Sequence, residues 1–352
     1  MEALRINLNM DQELSGDLFW GADADFSYPF PAFGLDWAWN LEGDFSMPDD
    51  GGPVQGKAAT GISASVPLAL GDLQLTLTQA AKFNQQDDDV PYLDEAYFST
   101  TAQIGWRLPV DLSFSRYPTV LRPRVELGAN WLPGGLQDGE LARGPALESG
   151  FGLSHGRIDW LGNFRKGLMA TADVSATYYL SDASFARKVT LEASAFNEAG
   201  WWGSGMRAYA VWSPEKDSNG AGSVVRGVLN SRAATDAAVA INLDLPVRVL
   251  RFVPFEWFGK PWMKVFQFEQ HWSPFVDAAL GHYDGTWFNP EKGWYGAGLE
   301  VMTFPLAMRS FYVRISIGWS LSDVVALGAL EGKSPRDGRS IYELFFGLGH
   351  HY

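Results

Sequence analysis

The sequence contains no cysteine, few basic residues and no long apolar run. Without cysteine there is neither a disulfide framework nor a thiolate metal site, which is compatible with an oxidising compartment such as the periplasm. Lys and Arg number 27 against 41 Asp and Glu, and the net charge of -14 argues against binding to nucleic acid. No stretch approaches the roughly 20 apolar residues that a membrane-spanning helix needs.

Length and composition favour one large all-β unit over two ordinary soluble domains. The chain has 352 residues with 38 glycines and 14% aromatic residues, and its 46% hydrophobic residues are spread along the whole length. We find no linker and no low-complexity run, so we expect a single domain over residues 1–352. Because Met1 and Glu2 lead directly into patterned sequence, we expect no signal peptide, as in a chain that is cytoplasmic, already processed or trimmed.

Three segments alternate apolar and polar residues with the period of two that is typical of strands. Residues 168–180, 189–195 and 311–320 each place apolar side chains on one side and mostly polar ones on the other. Strands of soluble sandwiches are usually about 5 to 6 residues long, whereas the first and third of these segments reach about 10 or more, the length of a tilted transmembrane strand. The length therefore favours a barrel in lipid.

Further segments of this kind bring the number of predicted strands to sixteen, and the fold class that we predict is all-β, a sixteen-stranded antiparallel transmembrane barrel. The connections largely alternate between short and longer polar ones, as expected for an up-and-down barrel with both termini in the periplasm. The other predicted strands are residues 3–9, 17–28, 33–46, 57–69, 72–84, 93–107, 122–132, 149–160, 205–213, 237–246, 274–283, 294–304 and 341–352.

Two segments do not fit this simple pattern. Residues 108–121 are either an extension of a strand or an irregular turn. Residues 247–263 are too long and too aromatic for a simple turn. Their side chains Trp257, Phe258 and Trp262 suit the membrane–water interface, where aromatic rings are favoured.

The last predicted strand ends on an aromatic residue. The segment YELFFGLGHHY places Phe346 and the last residue, Tyr352, on the same face. A terminal aromatic residue that closes such a strand looks like the sorting signal of bacterial outer-membrane barrels. We therefore predict that the chain resides in the bacterial outer membrane.

Four short motifs follow one another in the C-terminal half. The connection between predicted strands eleven and twelve carries the tripeptide Val225-Arg226-Gly227. The next three predicted strands contain INLDLP at 241–246, PFVDAALG at 274–281 and WYGAG at 294–298.

In this order, the set resembles the BamA/TpsB superfamily of outer-membrane insertases and two-partner-secretion transporters. In that superfamily the sixth external loop folds back into the barrel and carries a Val-Arg-Gly-Phe/Tyr tip. The chain departs from the pattern at Val228, where the family has an aromatic residue, and at Asp244, where it usually has Glu. Residues 1–200 match the family only in strand count and style.

The resemblance implies a loop anchor inside the lumen, formed by Arg226, Gly227, Asp244 and Asp277. Alternation points both carboxylates into the lumen, and a guanidinium can hold one of them through paired hydrogen bonds. Gly227 permits a tight backbone bend. The alternative is a solvated Arg226 in a mobile external loop. The residues expected to pack around the loop are Val225, Phe275, Gly296 and Gly298.

The resemblance also implies a function in handling polypeptides. The seam between the first and last strands would open, and its unpaired edge would pair with an incoming strand, so that barrel proteins are inserted into the membrane. Gly347 and Gly349 would weaken side-chain packing at that seam. The expected partners are outer-membrane lipids and client polypeptides, with periplasmic chaperones or lipoproteins as further candidates. Members of the family normally carry POTRA domains before the barrel, and we expect these to be absent or removed here.

Three other functions remain open. The first is a two-partner-type secretion pore, and the second is a general diffusion porin, which sixteen strands and a polar lumen also permit. The third is an outer-membrane hydrolase at Ser154, within the sequence GLSHG at 152–156. That motif requires a strand-to-helix turn, whereas it sits here in a glycine-rich strand. The leading hypothesis, by contrast, is not enzymatic. It has no catalytic residue and needs no cofactor, metal or nucleic acid.

Overall fold

The computed structural model describes most of the chain. The described residues are 4–12, 18–48, 55–83, 97–112, 115–132, 135–136, 145–214, 224–227, 235–283, 285–307, 311–321 and 342–350.

Sixteen long strands make up the fold, as the alternation predicts. Two short pairs, Gly135–Leu136 and Thr286–Trp287, extend the ends of strands. The sixteen strands are β1 Leu4–Gln12, β2 Leu18–Ala32, β3 Leu35–Pro48, β4 Gln55–Leu68, β5 Gly71–Phe83, β6 Tyr97–Val110, β7 Thr119–Leu132, β8 Ala146–Leu161, β9 Phe164–Tyr179, β10 Phe185–Ala199, β11 Trp202–Trp212, β12 Ala237–Asp244 with its continuation Val247–Phe252, β13 Phe268–Tyr283, β14 Trp294–Pro305, β15 Phe311–Ser320 and β16 Tyr342–His350.

Every strand pairs antiparallel with the next one along the chain, from β1 with β2 to β15 with β16. β1 and β16 then lie side by side, so the sheet curves round to bring its two edges together. At one end of the barrel several turns are short. Those at residues 33–34 and 162–163 have positive φ at both positions, as two-residue hairpins of type I′ require. The predicted fold, a sixteen-stranded antiparallel barrel, is confirmed.

β12 is a single strand with an interruption at residues 245–246. Both of its parts pair with β13, and Val247 resumes the register with β11 opposite Trp202. Pro246 has no N–H to donate to the ladder, which explains the break. The barrel therefore keeps the sixteen strands that the sequence predicts.

The two faces of the wall have opposite character. In β13, His271, Phe275 and Asp277 are buried, while Trp272 and Val276 between them are exposed. Period-two alternation places the first set inside the barrel and the second on its outer surface. Leu243 of β12, which alternates with the inward-facing Asp244, is likewise exposed.

The two irregular segments have different structures. β6 ends at Val110 and β7 begins at Thr119, so residues 108–121 combine a short strand extension with a turn. Residues 247–263 extend β12, then form the short helix α1 (Pro254–Phe258) and enter a 3₁₀ turn at Pro261–Phe266. Trp257, Phe258 and Trp262 are exposed there, and their contact with a membrane interface stays a prediction. Among the described residues, no helix combines the length and apolar character needed to cross a membrane.

Candidate functional site

The tip of the connection between β11 and β12 lies against the inner wall of the barrel. Val225 is only 1% exposed and packs in an apolar cluster with Val224. The side-chain amide of Asn242 donates a 2.5 Å hydrogen bond to the carbonyl oxygen of Val224. The rest of the cluster comes from strands β11 to β14 and consists of Val211, Ala238, Ala240, Ala279 and Trp294.

Arg226 contacts both of the carboxylates that the sequence assigns to it. Its Nε and Nη2 donate to Oδ2 and Oδ1 of Asp277 at 2.8 and 2.7 Å, which is the bidentate geometry of a strong ion pair. Its Nη1 donates to Oδ1 of Asp244 at 2.7 Å. The backbone N–H of Arg226 also donates to Oδ2 of Asp277 at 2.9 Å, so Asp277 binds both the side chain and the backbone of Arg226.

The surroundings of Arg226 favour its charged form. The Asp277 side chain is fully buried, and the guanidinium carbon of Arg226 lies 3.7 Å from the centre of the Phe275 ring. Burial acts to lower the pKa of Arg226. The hydrogen bonds that Arg226 donates to Asp277 and the charges of both aspartates outweigh this effect and raise the pKa of Arg226 above its usual value.

Glycines of the loop and wall allow the close approach. Gly227 has a φ of 86°, and a Cβ on it would lie 2.8 Å from the backbone nitrogen of Trp319. A Cβ on Gly296 would overlap the carbonyl oxygen of Arg226, and one on Gly318 would lie 2.8 Å from the nitrogen of Gly227. A Cβ on Gly298 would lie 2.0 Å from the carbonyl oxygen of Ile317 in β15 and 2.5 Å from the Phe275 ring, so this glycine makes room for the neighbouring strand and the ring and does not touch the loop tip directly.

Sequence reasoning missed three neighbours of this site. Glu300 lies 4.0 Å from Nη1 of Arg226 and forms a 2.5 Å ion pair with Arg314. Gly318 receives the loop tip, as described above. Alternation places Glu300, Arg314 and Gly318 on the inward face. Glu300 is two positions after Gly298 in β14, and Arg314 and Gly318 belong to the segment FYVRISIGWS in β15. That alternation is the only sequence pattern that indicates them.

The predicted seam residues lie in β16. In the backbone register with β15, Gly347 is opposite Arg314, Gly349 is opposite Tyr312, and Phe346 is opposite Ile315. Tyr352 lies outside the described residues. Their part in a seam or a sorting signal stays a prediction.

A second internal contact joins distant strands near the short-turn end. Phe164, which follows the β8–β9 turn, is buried and stacks on His271 of β13 with ring centres 4.4 Å apart. Asn163 in the same turn donates to Glu269 at 3.2 Å. The ring of Trp160 lies 6.1 Å from that of Phe304 in β14 and also contacts β15. The β8–β9 hairpin end thus spans part of the lumen to reach β13, β14 and β15.

Between this contact and the loop tip lies a cavity of about 370 Å³. Its wall includes Trp160 and Phe164 on one side and Val224 and Arg226 on the other. Charged side chains line much of the rest, from β9, β11, β12, β14 and β15.

The hydrolase hypothesis finds no assembled nucleophile and base. Ser154 is buried within β8, and the neighbouring His155 binds Thr119 Oγ1 at 2.7 Å and Ser115 Oγ at 3.3 Å. The motif lies in the middle of a strand instead of at a strand-to-helix turn. Within the described part of the chain, no group of three or more His, Cys, Asp or Glu residues is placed to hold a metal ion.

Comparison with known proteins yields structural likeness alone. No protein-family model matches the chain, and no curated protein matches it. The chain is similar to CdiB from Acinetobacter baumannii, with 13% identity and a TM-score of 0.58 over 99% of this chain and 60% of that one. CdiB from Escherichia coli gives 14% identity and a TM-score of 0.56 over 99% and 63%. BamA from Haemophilus ducreyi lacking POTRA domains 1-3 gives 13% and 0.53 over 99% and 70%.

The chain spans less than two thirds of the length of either CdiB chain. At these identities the likeness concerns the fold. The chain has a barrel fold similar to the barrels of CdiB and BamA.

Proposed function

We propose that the chain, which shares the barrel fold of BamA and CdiB, is an outer-membrane barrel that handles other polypeptides and holds its sixth long loop inside the lumen. The observation that carries the proposal is the contact of Arg226 with Asp277 and Asp244, in a tip that packs against the inner wall. A general porin needs an open aqueous channel. A loop bound through a buried ion pair reduces that channel and suits a protein that controls passage.

Polypeptide handling would use the edges of β1 and β16. These strands lie side by side, and the backbone groups of a separated edge are templates for an incoming strand. Insertion of barrel proteins through this seam is the leading form of the proposal, and passage of a secreted chain through the lumen is the alternative. In both forms the short turns and the two termini face the periplasm, and the clients are polypeptides.

Single-channel conductance in planar bilayers tests the loop contact. We expect small, irregular currents from the wild type and larger currents from Arg226→Ala and Asp277→Ala, because each change removes the ion pair that holds the tip in the lumen. Arg157→Ala is the matched control, since Arg157 forms an exposed ion pair with Asp159. Large, steady wild-type currents that neither substitution alters would contradict the proposal and favour a porin.

The absence of native cysteine provides a test that separates insertion from secretion. One cysteine in β1 and one in β16 can be cross-linked to hold the seam closed. In vesicles that contain the chain, we expect an unfolded outer-membrane barrel protein to fold faster, and we expect the cross-link to abolish this acceleration. Acceleration that persists with the seam closed would exclude insertion through the seam.

A further inference from the structure

The cavity between the loop tip and the β8–β9 turn carries an unusual concentration of guanidinium groups. In a chain with a net charge of -14, four arginines and only two carboxylates line this one cavity. Its volume of about 370 Å³ falls within the roughly 300 to 1,000 Å³ of small-molecule sites. The lining charged residues are Arg165, Arg207, Arg226, Arg314, Asp244 and Glu300.

Three of the four arginines have carboxylate partners. Arg226 binds Asp277 and Asp244, as described above. Nη2 of Arg314 lies 2.5 Å from Oε2 of Glu300. Arg207, which also lines the cavity, places its Nε 3.0 Å from Oε1 of Glu192.

Arg165 differs from the other three. Its guanidinium carbon lies 5.1 Å from the centre of the Trp160 ring and 5.3 Å from that of Phe196. Within the part of the chain that the structure describes, no carboxylate lies within ion-pair distance of it and no protein acceptor takes a hydrogen bond from it. Aromatic rings hold a guanidinium through its face, whereas its N–H donors lie in its plane. The rings therefore fix the position of Arg165 and leave its donors for a ligand.

We infer that this cavity is an oxyanion-binding site, in which Arg165 holds a carboxylate or phosphate group of a small polyanionic molecule. The planar fork of the guanidinium matches the two oxygens of such a group. Arg207, which lines the same cavity, meets a second anionic group of the same ligand. The rings of Trp160 and Phe164 form apolar parts of the wall beside these groups. The inference concerns the lumen wall and holds whether or not the chain handles polypeptides.

Citrate is the probe for the test, because it is small and carries three carboxylates. Calorimetric titration of the refolded protein in detergent at constant ionic strength is expected to show saturable binding of one citrate per barrel. Arg165→Gln is expected to weaken this binding by roughly tenfold or more, since it removes two charge-assisted hydrogen bonds. Arg165→Lys retains the charge but not the fork, and is expected to restore only part of the affinity.

Arg157→Gln on the same hairpin is the matched control, because Arg157 is exposed and pairs with Asp159. Folding of every variant is checked by its electrophoretic mobility without boiling. Absence of saturable citrate binding to folded wild type would overturn the inference, and so would an equal loss in Arg165→Gln and Arg157→Gln. A blocked tri-glutamate peptide forms the second arm. Arg165-dependent binding of the peptide without binding of citrate would overturn the assignment to a free small anion.

Discussion

Replacing Arg226 with alanine is expected to destabilise the folded barrel by about 3 kcal/mol or more, because the fully buried Asp277 carboxylate then has no cation beside it. Its partner change, Asp277→Ala, is expected to cost less. Arg226 is 22% exposed and keeps its 2.7 Å contact with Asp244 when Asp277 is absent. Substitution of the two partners of one ion pair should therefore lower the free energy of unfolding by unequal amounts.

Urea unfolding in lipid vesicles, followed by tryptophan fluorescence, measures these losses. The double variant Arg226→Ala/Asp277→Ala is expected to be more stable than Arg226→Ala alone, since it removes the isolated carboxylate together with its partner. Arg157→Ala is the control, and its exposed pair with Asp159 should contribute only about 0 to 1 kcal/mol. Equal losses for Arg226→Ala and Arg157→Ala would show that the buried pair does not stabilise the barrel.

A valine at Gly296 is expected to move the loop tip off the wall while leaving every charged residue of the site in place. The new Cβ would overlap the carbonyl oxygen of Arg226, and on the neighbouring strand a Cβ at Gly318 would lie only 2.8 Å from the nitrogen of Gly227, so the tip is closely packed against both strands. Overpacking of this kind costs about 1 to 3 kcal/mol, which corresponds to roughly a 5- to 150-fold rise in the population of the displaced loop.

Thiol labelling reads this displacement directly. A cysteine introduced at Val225 is the only thiol of the chain, and the native side chain is 1% exposed there. We expect slow labelling in the Val225→Cys background and faster labelling when Gly296→Val is added. Gly43→Val is the matched control, because a Cβ on Gly43 meets nothing within 4 Å. Equal labelling rates with valine at either position would mean that the tip does not rest against Gly296.

Alternation predicts the strands and their faces because a barrel wall repeats one simple rule. Each residue of a strand points either to the outer surface or to the interior, so a pattern such as FYVRISIGWS fixes which side chains are inside. The contact of Arg226 with Asp244 and Asp277 is foreseen for this reason, together with the resemblance in the motifs. The helix α1 is not foreseen, because residues 254–258 are too few for a helical period to stand out.

Contacts across the lumen are harder to foresee than contacts within the wall. Alternation shows that Glu300 and Arg314 face inward, but their closeness to Arg226 depends on where the loop tip comes to rest. The stacking of Phe164 on His271 depends on how far the β8–β9 hairpin leans inward. The position of the loop tip and the lean of the hairpin both depend on the curvature of the whole sheet. A period-two alternation of apolar and polar residues does not specify that curvature.

The hairpin end that touches β13, β14 and β15 acts as a brace within a tube. Trp160 and Phe164 join walls that are several strands apart, so a change in the curvature of the arc from β8 to β15 would have to break these ring contacts. The remaining arc, from β16 through β1 to β7, contains the meeting of the first and last strands. We therefore expect the tube to change shape more readily on the side where its two edges meet.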